Sequence, residues 1–262
     1  MEVLKIIISG LIDGLTGFLP VSSSGHLLML KNVFGFGEGD SIIFDLFLKL
    51  ATIVVIVFAF RRDILKLIRL ESGIYRRLAL MILAATVSTG IVGLGCRSFA
   101  GYASGTVIFP GIFMIVTGVM LFVTDGIKKG EVKISDAGLF EAVVIGGVQG
   151  LAVLPGLSRC GMVITVCLLF GFDRKLTWKF SFLCAVPSLV GTVVLDIMDL
   201  VRYGAADVAN TGWYILASVL AAVSGYIGLV LLNQILKRRR FCILSVYCLA
   251  LGGFMLASTI VL

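Results

Sequence analysis

The sequence predicts an all-α polytopic membrane protein, with six membrane-spanning helices and two re-entrant helical hairpins arranged as an inverted repeat. Composition, the lengths of the apolar runs and an internal repeat carry that prediction. Hydrophobic residues make up 59% of the 262 positions and charged residues 14%, with a mean hydropathy of +1.12. No soluble domain hides that much apolar surface, whereas a bilayer solvates it.

Six runs are long enough to cross the hydrocarbon core, which takes roughly 17 to 25 helical residues. They cover 44–60, 78–96, 105–125, 178–200, 212–236 and 241–262. Two further apolar regions, 3–30 and 138–171, are each interrupted by polar, Pro- and Gly-bearing sequence. A helix broken at membrane depth survives only where protein or a water-filled cavity satisfies its freed backbone groups. Both regions therefore read as re-entrant hairpins. The first apolar run has no cleavage-site pattern, so no signal peptide is expected to be removed. Six cysteines lie mostly inside apolar segments without metal-like spacing, and read as small packing residues.

Loop charges set the expected direction. Residues 61–77 carry Arg61, Arg62, Lys66, Arg69, Arg76 and Arg77. Three lysines fall in 126–137, Arg174, Lys175 and Lys179 in 172–179, and "KRRR" occupies 237–240. The other loops hold only Lys5, Lys31, Arg97 and Arg202. Placing the four basic loops in the cytoplasm lets every crossing alternate correctly. A multi-pass protein of the inner or plasma membrane follows, with both termini outside the cytoplasm. The net charge of +7 is explained by these loops, so no nucleic-acid partner is expected. The lipid bilayer is the expected partner, and a homodimer stays open.

The two broken regions resemble each other. At a constant offset of 136, Gly14 matches Gly150, Leu15 matches Leu151, Ser22 matches Ser158 and Gly25 matches Gly161. Phe44 with Phe180 and Asp63 with Asp199 continue the register. One membrane domain is thus expected to hold repeat one at 1–125, a cytoplasmic linker at 126–137 and repeat two at 138–262. A hairpin plus three spans is an odd number of crossings, so the second half sits upside down. Architectures of this kind place a binding site where the broken helices meet.

That site would combine Ser22, Ser23, Ser24 and His26 with Ser158 and Arg159. Each serine alone reads as a helix cap, and Arg159 as the partner of Asp13 or Asp45. Taken as a set, hydroxyls, the backbone amides around Gly156 and a guanidinium fork suit a phosphate group. An arginine at membrane depth costs roughly 2.5–3.5 kcal/mol on insertion scales, which calls for a partner or a function.

At these residues the chain resembles the undecaprenyl-diphosphatase family, the bacitracin-resistance type of integral membrane phosphatase. "GLTGFLPVSSSGHL" is similar to that family's first signature and "QGLAVLPGLSRCG" to its second. "FDLFLKLATIVVIVFAFRRDI" and "WKFSFLCAVPSLVG" also sit where the family has related sequence, so the likeness runs nearly the full length. The resemblance implies hydrolysis of undecaprenyl diphosphate, or a related polyprenyl diphosphate, to the monophosphate carrier lipid of cell-wall synthesis. It implies Ser23, His26 and Arg159 as catalytic residues, with either Ser23 or His26 as nucleophile. Phosphate binding then falls to Ser22, Ser24, Gln149, Gly156, Ser158 and Lys49.

The chain departs from the family in its first motif. Two acidic or amide positions four apart, able to hold Mg²⁺ or Ca²⁺ against a diphosphate, are here Asp13 and Gly17. Only Asp13 remains as a metal ligand; Glu2 is three turns away, and Glu38 and Asp40 lie in a loop. Cys160 replaces a serine, and Val163 stands where threonine is common. Lys49, where relatives have histidine or glutamine, either snorkels from a span end or supplies a replacement cation. A non-hydrolytic carrier or flippase for a prenyl phosphate is the alternative function.

Overall fold

In the computed structural model, residues 2–34, 42–127, 130–203 and 211–261 are described; Glu38, Asp40, Lys128 and Lys129 lie outside them. The described residues form ten α-helices and no strand, with one isolated β-bridge between Val132 and Phe172. The helices are α1 (Glu2–Phe18), α2 (Ser23–Phe34), α3 (Ile42–Ile68), α4 (Gly73–Ser104) and α5 (Ile108–Gly126). They continue as α6 (Leu139–Leu151), α7 (Arg159–Leu169), α8 (Arg174–Tyr203), α9 (Thr211–Arg238) and α10 (Phe241–Val261).

Six of them, α3, α4, α5, α8, α9 and α10, are long and apolar enough to cross a membrane. In their most apolar windows only 22% to 44% of residues are buried, so most of each surface faces outward, as a lipid-solvated helix requires. The six expected spans each fall on one of these helices. Several helices run further than the apolar run alone. α3 continues past Phe60, where φ −106° and ψ 16° mark a kink, and carries Arg61 to Lys66 as helix. Arg76 and Arg77 likewise sit in the first turns of α4, whose N-cap Ser72 accepts from the Tyr75 amide. Arg and Lys are good helix formers, so leaving the bilayer does not end a helix.

The other four helices have 17, 12, 13 and 11 residues and come in two broken pairs. Between α1 and α2, Ser22 takes a left-handed φ of 65°. Its hydroxyl accepts from the Gly25 amide at 3.3 Å, so it caps α2 while turning the chain. Between α6 and α7 the turn falls on Gly156, with φ 99°. A Cβ there would lie 2.3 Å from the Pro110 carbonyl oxygen, so only glycine fits.

Packing partners exchange between the two halves of the chain. α1 packs against α9, whereas α6 packs against α4, and α5 pairs with α10. Bilayer lipid offers helices no hydrophobic drive to associate, so close backbone approach at small residues carries these contacts. A Cβ on Gly14 would lie 2.2 Å from the Ala221 carbonyl oxygen, and one on Gly146 2.2 Å from that of Ala85. A Cβ on Gly252 would fall 2.7 Å from the Gly111 oxygen. Two ion pairs join α3 and α8, Asp63 to Lys179 at 2.5 Å and Lys49 to Asp196 at 2.6 Å.

Candidate active site

The two helix breaks touch each other. The Gly156 amide donates to Ser24 Oγ at 3.4 Å, and Cys160 Sγ donates to the Gly17 carbonyl at 3.6 Å. A Cβ on Gly25 would meet the Gly156 Cα at 3.3 Å, and one on Gly161 the Pro20 Cβ at 3.3 Å. Beside this junction a cavity of about 890 Å³ is walled by α1, α2, α3, α4, α8 and both breaks. Asp13, Gly17, Ser22, Ser23, Ser24, Asp45, Lys49, Gln149, Ser158 and Arg159 all line it.

Ser23 opens α2 and lines the same cavity as Asp13 of α1, near enough for its hydroxyl to influence the carboxyl. A carboxylate this near a serine hydroxyl can take its proton when substrate brings the two together. Ser24 is exposed into the cavity and bonds Ser22 Oγ at 3.3 Å. Arg159 starts α7 directly after its N-cap, Ser158. No hydrogen bond or ion pair to a described residue engages its guanidinium, not even Asp13 or Asp45. The site therefore holds a cation lining the cavity together with a serine and a carboxylate.

The sequence matches the model of the bacitracin resistance protein BacA family over residues 6–254. The chain belongs to that family. It is 36% identical over 256 residues to the undecaprenyl-diphosphatase of Carboxydothermus hydrogenoformans, covering 96% of this chain and 95% of that one. The undecaprenyl-diphosphatase of Methanobrevibacter smithii is 32% identical over 270 residues, covering 96% of both chains. That of Alkaliphilus metalliredigens is 34% identical over 273 residues, covering 98% of both.

Other residues expected at a BacA-family site take different places. His26 is buried and does not line the cavity. Its Nδ1 is 2.7 Å from the Ser22 carbonyl and its Nε2 2.6 Å from the Tyr247 hydroxyl, with the two rings stacked at 5.6 Å. Both nitrogens are thus occupied in holding the α2 turn against α10. Gly156 also stays outside the cavity wall, with its amide spent on Ser24. Gln149 reaches the wall, yet its amide is engaged by Ser188 Oγ at 2.9 Å, Thr89 Oγ1 at 3.3 Å and the Cys184 thiol at 3.1 Å. Ser158 caps α7 through the Gly161 amide at 3.2 Å, and its own amide donates to Thr117 at 3.0 Å. Lys49 lines the cavity bound to Asp196 rather than as an unpaired cation.

Tyr247, Thr117 and Asp196 were not anticipated. Asp196 carried a signal, being an acid inside an apolar run. Tyr247 carried none, since 221 residues separate it from His26.

Proposed function

We propose that the protein is a membrane phosphatase that hydrolyses undecaprenyl diphosphate, or a close polyprenyl diphosphate, to the monophosphate. The observation that carries this reading is that Arg159, with no hydrogen-bond or ion-pair partner among the described residues, shares one cavity with Ser23 and Asp13. Family membership and full-length likeness to undecaprenyl-diphosphatases support it.

In this proposal Arg159 holds the terminal phosphate and stabilises the charge that spreads over its oxygens during transfer. Ser23 Oγ attacks the terminal phosphorus while its proton passes to Asp13. The bond from that phosphorus to the bridging oxygen breaks, and the prenyl monophosphate leaves with that oxygen. Water then cleaves the seryl phosphate. His26 acts as a positioning residue that holds the Ser22 carbonyl and so the turn bearing Ser23.

A divalent cation fits the donor set in one form only. Among the described residues no cluster of three or more His, Cys, Asp or Glu side chains can hold a metal alone. Asp13 and Asp45 both line the cavity and lie close enough to influence each other. Mg²⁺ is commonly bound by one or two carboxylates together with substrate phosphates, and these two would hold it so. There it would neutralise the diphosphate's charge.

Two re-entrant hairpins of an inverted repeat meeting in the bilayer, both termini outside the cytoplasm and a plasma-membrane location complete the proposal. The exchanged packing of the two halves and the four basic loops support it.

Purified protein in detergent, given undecaprenyl diphosphate, should release phosphate. Ser23→Ala and Arg159→Ala should each lose roughly 100-fold or more in kcat, in line with removal of a nucleophile or an oxyanion donor. Zero turnover in folded, lipid-bound wild type would favour the carrier reading. Full activity in Arg159→Ala would overturn the site.

A further inference from the structure

A second cavity, of about 540 Å³, opens where α4 and α6 begin. Arg76, Arg77, Leu80, Met81, Ala137 and Leu139 line it. Its walls combine charged and apolar side chains. Arg76 and Arg77 supply charge, beside Gly73 at the start of α4, where the helix dipole adds positive potential. Leu80, Met81 and Leu139 supply apolar wall, with Leu80 56% and Leu139 54% exposed.

Neither arginine belongs to an ion pair among the described residues. Arg77 Nε donates to the Ala137 carbonyl at 2.9 Å, which orients the fork and leaves both terminal nitrogens available. The neighbouring acids are turned elsewhere. Glu71 faces Lys66 at 3.9 Å, and Glu141 folds back so that a Cβ on Gly138 would touch its Oε2 at 2.4 Å. Asp136 does not line the cavity.

We propose that this cavity binds an anionic phospholipid, with its phosphate between Arg76 and Arg77 and an acyl chain along Leu80 and Leu139. A zwitterionic headgroup fits worse, because its ammonium would enter the same positive field. Arg61, Arg62 and Arg69 on the same side of the membrane reinforce that field. By the loop charges this is the cytoplasmic leaflet. The lipid would bridge α4 and α6, and α6 leads into the break that carries Arg159. This site stands independently of the phosphatase reading.

The test uses delipidated full-length protein in neutral detergent, with bound lipid counted by native mass spectrometry. Phosphatidylglycerol, phosphatidylcholine and inorganic phosphate are compared on wild type, Arg76→Ala/Arg77→Ala and Gly73→Glu. Gly73→Glu sets a carboxylate in the cavity at a position where an added Cβ meets nothing within 4 Å. It therefore keeps the test valid should the double variant unfold. Phosphatidylglycerol should bind wild type roughly 30-fold more tightly than the double variant, from about fivefold per basic contact. Gly73→Glu should also weaken it, and phosphatidylcholine should be insensitive to all variants. Equal binding of the two lipids by wild type, or unchanged phosphatidylglycerol affinity in both variants, overturns the proposal. So does displacement of phosphatidylglycerol by millimolar inorganic phosphate, which would identify a free-anion site.

Discussion

Gly17→Glu restores the carboxylate that the first motif lacks, and the structure sets what it should do. A Cβ on Gly17 meets only Ser23 Oγ, at 3.9 Å, an ordinary van der Waals contact. The change therefore needs no backbone movement, and the Cys160 bond to the Gly17 carbonyl is unaffected. Replacing glycine by glutamate in a helix gains roughly 0.5–1 kcal/mol of propensity. Placing a carboxylate in the last turn of α1 costs about 0.3–1 kcal/mol against the helix dipole. Repulsion from Asp13 four residues away adds about 0.2–0.5 kcal/mol of cost, so the melting temperature should fall by a few degrees at most. Residues 13 and 17 lie four apart on α1 and both line the cavity, so the new carboxylate joins Asp13 on one face. Lys49 is held by Asp196 at 2.6 Å and does not readily swing across to neutralise it. One more hard oxygen ligand should tighten a phosphate-bridged Mg²⁺ by about 1.4 kcal/mol, a tenfold change. The assay is phosphate release from undecaprenyl diphosphate across a Mg²⁺ titration. The half-saturating Mg²⁺ should fall about tenfold in Gly17→Glu, with turnover raised at low Mg²⁺. Activity lost at every Mg²⁺ concentration, in protein that melts like wild type, would refute this: the carboxylate would then be neutralising Arg159.

Three further outcomes are expected. Lys49→Gln leaves Asp196 facing the cavity alone and should cost about 1 kcal/mol in chemical denaturation, which Lys49→Gln/Asp196→Asn should recover. An uncoupled double-mutant cycle would show that the pair is incidental. Gly156→Ala forces a side chain into left-handed backbone against Pro110, and should lower stability by roughly 3 kcal/mol or more, read as a collapsed melting temperature. Tyr247→Phe removes the 2.6 Å bond to His26 Nε2 and should reduce kcat several-fold with little change in KM, whereas an unchanged kcat would mean that His26 is positioned without it.

Much of the fold was legible because its cause is local. A span is a matter of length and apolarity within one segment, and the six spans needed no tertiary information. The breaks were legible for the same reason: Pro20 with Ser22, and Pro155 with Gly156, cluster poor helix formers within a few residues of one another. Helix ends were less legible, since Arg61 to Lys66 can be helix or loop with equal ease once outside the bilayer. The exchange of α1 onto α9 and α6 onto α4 lay beyond the chain's local patterning, although the glycines that make it feasible recur at the offset of 136.

The candidate site divides in the same way. By itself the sequence determined that a serine, a carboxylate and an arginine would be carried at the two breaks, because motif spacing within one hairpin is a one-dimensional property. It also determined the family, through two long motifs in order. Only the tertiary structure decided what each polar group faces. It turned His26 away toward Tyr247, spent Gln149 on α4 and α8, tied Lys49 to Asp196 and left Arg159 with no partner among the described residues. The physical reason is that a buried polar group takes the acceptor or donor nearest in space. For His26, Gln149 and Lys49 that neighbour is contributed by a helix 35 to 221 residues away along the chain.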